Sequence, residues 1–74
     1  MQKLPALKAI EIVRMLERAG FVRVRQIGSH PRLRRGNLGV TAPLHGGDVP
    51  ELVVRSILRQ AHLTADEFLA LRCR

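Results

Sequence analysis

One cysteine, no tryptophan, no tyrosine and two phenylalanines leave this sequence short of several chemistries. The lone thiol, Cys73, builds neither an intramolecular disulfide nor a cysteine-based metal site, so redox chemistry is excluded. Phe21 and Phe68 are better explained as core, which leaves no ring for reading single-stranded bases by stacking. The three histidines have no i, i+4 pairing and no carboxylate at ligand spacing, so neither a metal nor another cofactor is expected. No apolar run approaches the ~18 residues that span a bilayer. The first residues also lack an apolar stretch followed by a small-residue cleavage site, and the expectation is a cytoplasmic protein with no membrane partner.

Acidic residues are scarce too. Thirteen Lys and Arg oppose six Asp and Glu, a formal net charge of +7, and only Lys3 and Lys8 are lysines. A guanidinium holds phosphate through two parallel hydrogen bonds where an ammonium acts as a point charge, so an arginine-rich excess points to a polyanion rather than to a small-molecule substrate. With 74 residues the chain is expected to form one domain over 1–74. A chain this short buries only about 60% of its unfolded surface, so a companion that binds the folded form would stabilise it.

Residues 7–19 read as a helix, with Ala9, Ile12, Val13, Leu16 and Ala19 on one stripe, and Gly20 stops it. From Phe21 to Ile27 the period changes to two, with Val22 and Val24 expected inside and Arg23 and Arg25 outside. Gly28-Ser29 marks a turn, His30 to Arg35 forms a second strand with Leu33 inward, and Gly36-Asn37 makes a hairpin. A third strand is expected over Gly39 to Leu44, then a flexible loop at Gly46-Gly47-Asp48. Pro50 opens a helix whose stripe is Leu52, Val53, Ile57, Leu58 and Ala61. Thr64 and Glu67 form a capping box ahead of a last short helix with Phe68, Leu69 and Leu71. The sum is an α+β fold in the order α-β-β-β-α(-α): a small three-stranded antiparallel sheet with helices on one face and the other face open.

The stretches Gly20-Phe21, Arg25-Gln26-Ile27-Gly28-Ser29-His30, Pro43-Leu44-His45 and Arg55-Ser56-Ile57-Leu58-Arg59-Gln60-Ala61 resemble, in order and nearly in spacing, the HicA family of mRNA interferase toxins. The likeness runs from about residue 7 to residue 71, and the joint occurrence of the Gly-Ser-His turn with the Arg-Ser-Ile-Leu-Arg-Gln helix is specific. The resemblance implies a double-stranded-RNA-binding-like fold, metal-independent endoribonuclease activity on mRNA, and neutralisation by a HicB-type antitoxin. Departures from the family pattern bear on folding, or mark an inactive copy. Pro31 follows the motif histidine, Leu52-Val53 replaces a small pair, His62 stands where glycine usually ends the helix, and the turn after the second strand is one residue shorter.

RNA cleavage needs a base for the 2′-hydroxyl, a proton for the leaving oxygen and positive charge on the developing phosphorane. Imidazole, with an ordinary pKa of about 6.5, is substantially neutral at cytoplasmic pH and suits the first role. On a strand, residues 30, 32 and 34 point the same way, so His30, Arg32 and Arg34 are expected to share the open face with Arg23 and Arg25. By placement alone His30 reads more readily as a solvated turn histidine; the resemblance is what makes it the expected catalytic residue. Arg23, Arg25, Arg32 and Arg34 are the expected RNA contacts. Ser29 either donates to phosphate or serves the turn, His45 either contacts RNA or sits in a loop, and His62 reads as a helix-end residue. A non-catalytic double-stranded-RNA-binding module and a ribosome-associated or DNA-binding protein are the competing readings.

Overall fold

A computed structural model describes residues 4–27, 30–42 and 47–72, with the backbone alone of 25–27. Among these residues the elements run β1 (Leu7–Lys8), α1 (Ala9–Arg18), β2 (Val22–Ile27), β3 (His30–Arg35), β4 (Leu38–Thr41), β5 (Asp48–Val49), α2 (Glu51–Ala61) and α3 (Ala65–Ala70). The architecture is the expected α+β arrangement, with an antiparallel sheet in the order β2-β3-β4. No described helix is long and apolar enough to cross a membrane.

Helix α1 buries Ala9, Ile12, Val13 and Leu16 as their spacing requires, together with Met15. It starts two residues later than the period suggests, because Leu7 and Lys8 pair with Val49 and Asp48 in a separate two-stranded sheet. The loop expected at Asp48 is therefore a strand at that residue. The end of α1 follows from Gly20, whose φ of 102° suits a residue without Cβ. Here the Gly20 N–H donates to the Glu17 carbonyl and the Phe21 N–H to the Leu16 carbonyl, both at 3.0 Å. These two bonds satisfy carbonyls the helix would otherwise leave bare and turn Phe21 inward.

That inward turn reverses the expected faces of β2. Phe21 is 2% exposed, whereas Val22 and Val24 are 61% and 54% exposed. Side chains alternate along a strand, so a buried residue 21 puts 22 and 24 outside and 23 inside. Arg23 stands opposite the buried Leu33, and its Nε lies 3.7 Å from Glu17 of α1. An arginine is tolerated on the covered side because β2 is the sheet edge, where a long side chain carries its charge to water. A bulge between Arg23 and Arg25 then resets the pairing, bringing Arg25 opposite Arg32.

In the central strand β3 the burial alternates: Pro31 and Leu33 buried, His30 and Arg34 exposed, Arg32 half-buried. Pro31 does not break the ladder to β2, where it stands opposite Gln26. Its carbonyl accepts from the Ala42 N–H at 3.0 Å. A strand residue's N–H and C=O point to the same neighbour, so the missing donor faces Ala42, just past the end of β4, and only a terminal rung is lost. Gly36, at φ 59°, makes the two-residue turn joining β3 to β4, where Arg35 opposes Leu38.

The helices cover one side of the sheet. Leu33, Val40 and Ala42 are fully buried in a single core with Ile12, Leu16, Phe21, Val54, Ile57 and Phe68, and α2 packs on β4. The stripe of α2 is Val54, Ile57, Leu58 and Ala61. Leu52, expected inside, is 83% exposed, because two residues before Val54 at 100° per residue lies on the opposite side of the helix. His62 ends α2 in the left-handed conformation, φ 56°. The capping box ahead of α3 forms as expected, Thr64 N–H to Glu67 Oε1 at 2.9 Å and Glu67 N–H to Thr64 Oγ1 at 3.1 Å.

Candidate functional site

The open face of the sheet is organised in rows set by the strand register. Val22, Arg34 and Gly39 form one row, Arg25, Arg32 and Thr41 the next, and Ile27 and His30 the last. Successive rows are about 6.6 Å apart along the strand, so His30, Arg32 and Arg34 of β3 are spaced like steps on one side. His30 is exposed at the first position of β3. The row therefore presents one imidazole to solvent at the end of a line of guanidinium groups.

Two of those groups are held in place. Arg32 Nη1 donates to Thr41 Oγ1 at 3.1 Å, and its guanidinium lies over Gly39, where a Cβ would come within 2.6 Å of Nη2. Arg34 Nε donates to the Gly36 carbonyl at 3.0 Å. Neither Gly39 nor Thr41 was singled out from the residues alone. A glycine inside a strand was the available signal, since it marks a close approach of another group.

The remaining expected residues divide. Arg23 is not brought to this face; it sits on the helix side with Glu17. Arg25 shares the row of Arg32 by backbone register. Ser29 and His45 lie outside the described residues. His62 is at the end of α2, remote in sequence from the hairpin and occupied with a helix cap.

Several arginines that composition lumps with the rest are structural. Arg35 Nη1 donates to the Ala19 carbonyl at 2.9 Å, and Arg18 Nη1 to the Leu71 carbonyl at 2.7 Å. Arg55 pairs with Glu51 at 2.8 Å and Arg72 with Glu11 at 3.6 Å. Cations at the carbonyl end of a helix, as Arg35 is for α1, oppose its partial negative charge. Part of the basic excess thus serves the fold, and Arg32 and Arg34 are the part that lies on the open face beside the histidine. Among the described residues no three His, Cys, Asp or Glu side chains cluster as metal ligands.

No curated protein matches the chain. The family model for the HicA toxin of bacterial toxin-antitoxin systems matches residues 9–63, a stretch that begins with α1 and ends just past α2, and that contains the whole β2-β3-β4 sheet with His30. By that match over most of its length, the chain belongs to the HicA family of bacterial toxins.

Proposed function

We propose that this toxin is a metal-independent endoribonuclease that cuts mRNA in the cytoplasm with His30 as general acid and base, and that a HicB-type antitoxin neutralises it. The observation that carries the reading is the alternation on β3: His30, Arg32 and Arg34 together on the uncovered side of the sheet. An RNA strand laid along that line meets guanidinium groups at its phosphates and an imidazole at one ribose. The neutral imidazole takes the 2′-hydroxyl proton as the 2′-oxygen attacks the adjacent phosphorus. The P–O5′ bond breaks, and the imidazolium returns the proton to the leaving 5′-oxygen. Arg32, fixed by Thr41 and Gly39, offers preorganised positive charge to the phosphorane. Arg25, Ser29 and His45 extend the RNA contacts in this reading, and Arg23 does not.

The test compares wild type with His30→Ala on RNA in the presence of EDTA. General acid and base help is typically worth about 10²–10⁴ in rate, so the variant loses about that much cleavage while still binding RNA. Equal activity of the two proteins removes His30 from the mechanism. One observation favours a second reading, a non-catalytic double-stranded-RNA-binding module: no described residue hydrogen-bonds His30 to orient its ring. In that case the wild type binds and never cuts.

A further inference from the structure

The open face carries something an RNA does not need. Among the described residues four large apolar side chains are exposed; Ile10 and Leu52 stand singly on helices, while Val22 and Val24 share one strand. Single exposed apolar groups are ordinary, but two at consecutive outward positions make a patch. Val22 adjoins Arg34 in its row, and the third member of that row is Gly39, which adds no side chain of its own. The Arg32 guanidinium folds across Gly39. The result is an aliphatic surface bordered by two guanidinium groups.

Ribose and phosphate gain little from aliphatic carbon, and the nearest means of binding bases, a stacked aromatic ring, is absent from the strand. A protein segment with an apolar side chain flanked by carboxylates complements both halves of the patch, and a toxin with a net charge of +7 favours an acidic partner. The bulge between Arg23 and Arg25 works against a partner strand pairing with the β2 edge, because the extra residue bends the strand away from regular pairing. Docking through the face is left. Residue 34 lies four positions from His30, about 13 Å along β3.

Resting on the toxin reading above, we propose that the antitoxin docks by seating an apolar residue flanked by carboxylates on Val22 and Val24 beside Arg32 and Arg34. Neutralisation then depends on the two valines, which RNA cleavage does not use, as well as on the two arginines, which it does.

The test is the double variant Val22→Thr/Val24→Thr, which keeps side-chain shape and strand preference while making the patch polar. Affinity for the toxin's HicB-type antitoxin falls about tenfold or more. RNA binding and RNA cleavage stay within about twofold of wild type on the same reasoning, since no apolar term enters them. Val22→Ile/Val24→Ile, which keeps the patch apolar, retains antitoxin binding and shows that the loss is not general damage. Unchanged antitoxin affinity in the threonine variant overturns the proposal, as does a parallel loss of RNA binding or failure of wild type to bind the antitoxin. Wild type that binds the antitoxin but cuts no RNA sinks the nuclease reading alone, and the binding comparison still decides the docking site.

Discussion

Arg32 crosses the β3–β4 ladder to donate from Nη1 to Thr41 Oγ1 at 3.1 Å, and it can do so because residue 39 has no Cβ to block the path. In the structure the closest approach to a notional Cβ is 2.6 Å from Nη2, so any side chain at 39 moves the guanidinium.

Gly39→Ala is therefore expected to weaken RNA binding by about fivefold, the worth of roughly one ordinary hydrogen bond, without unfolding the protein. Thr41→Val does the same, and Thr41→Ser, which keeps the hydroxyl, does not. Fluorescence anisotropy with a short RNA reads all three. Wild-type affinity in Gly39→Ala would show that the placement of Arg32 is irrelevant to RNA.

Salt dependence separates the arginines by role. Replacing Arg32 or Arg34 with Gln should each reduce the slope of log affinity against log salt by about 0.7 for single-stranded RNA. Arg23→Gln should leave it unchanged, since Arg23 lies on the helix side with Glu17. Arg35→Gln should also leave the slope alone but cost about 0.5–1 kcal/mol of stability through the lost cap at Ala19. A drop in slope for Arg23→Gln equal to that for Arg34→Gln contradicts the assignment of faces.

At the end of α2, His62 holds a left-handed conformation, φ 56°, that disfavours a residue with a Cβ. The bonds of the cap are present nonetheless, Leu63 N–H to Leu58 carbonyl at 3.0 Å and His62 N–H to Arg59 carbonyl at 3.3 Å. His62→Gly keeps them and relieves the strain, raising stability by about 0.5–1 kcal/mol and the melting temperature by a few degrees. His62→Ala gains nothing, because alanine meets the same Cβ clash. Equal melting of His62→Gly and wild type in calorimetry would remove strain from the account of this helix end.

Phe68 is fully buried and anchors α3 in the core, with Ala65 and Leu69 packed beside it. Phe68→Ala is expected to cost about 3–5 kcal/mol, which for a chain of this size approaches the whole folding free energy. Circular dichroism at room temperature should show a substantial unfolded fraction, and a melting curve within a few degrees of wild type would contradict it.

Local chemistry alone makes much of this molecule legible. Gly20 as a helix stop, the Gly36-Asn37 hairpin and the Thr64–Glu67 cap each depend on a few neighbouring residues whose geometry is nearly independent of context. So does the side shared by His30, Arg32 and Arg34, since the alternation of an unbroken strand carries it. The faces of β2 come out opposite to the pattern, because alternation of valine and arginine favours valine inside only while nothing nearby fixes the strand's orientation. The capped turn at Gly20 and the burial of Phe21 decided that, and the bulge then shifted the pairing midway. The β1–β5 pair was invisible for a different reason: two short segments some forty residues apart carry no pattern of their own, and only the closed core brings them together.

The set of elements, their turns, the excess of arginine and the histidine at the head of the central strand are all written in the order of residues. Tertiary structure alone decided which arginines hold the fold and which face solvent, that Gly39 makes room for Arg32, and that two valines lie in water beside it. Periodicity and turn chemistry act over a few residues, whereas the destination of a long side chain depends on whatever the fold packs next to it.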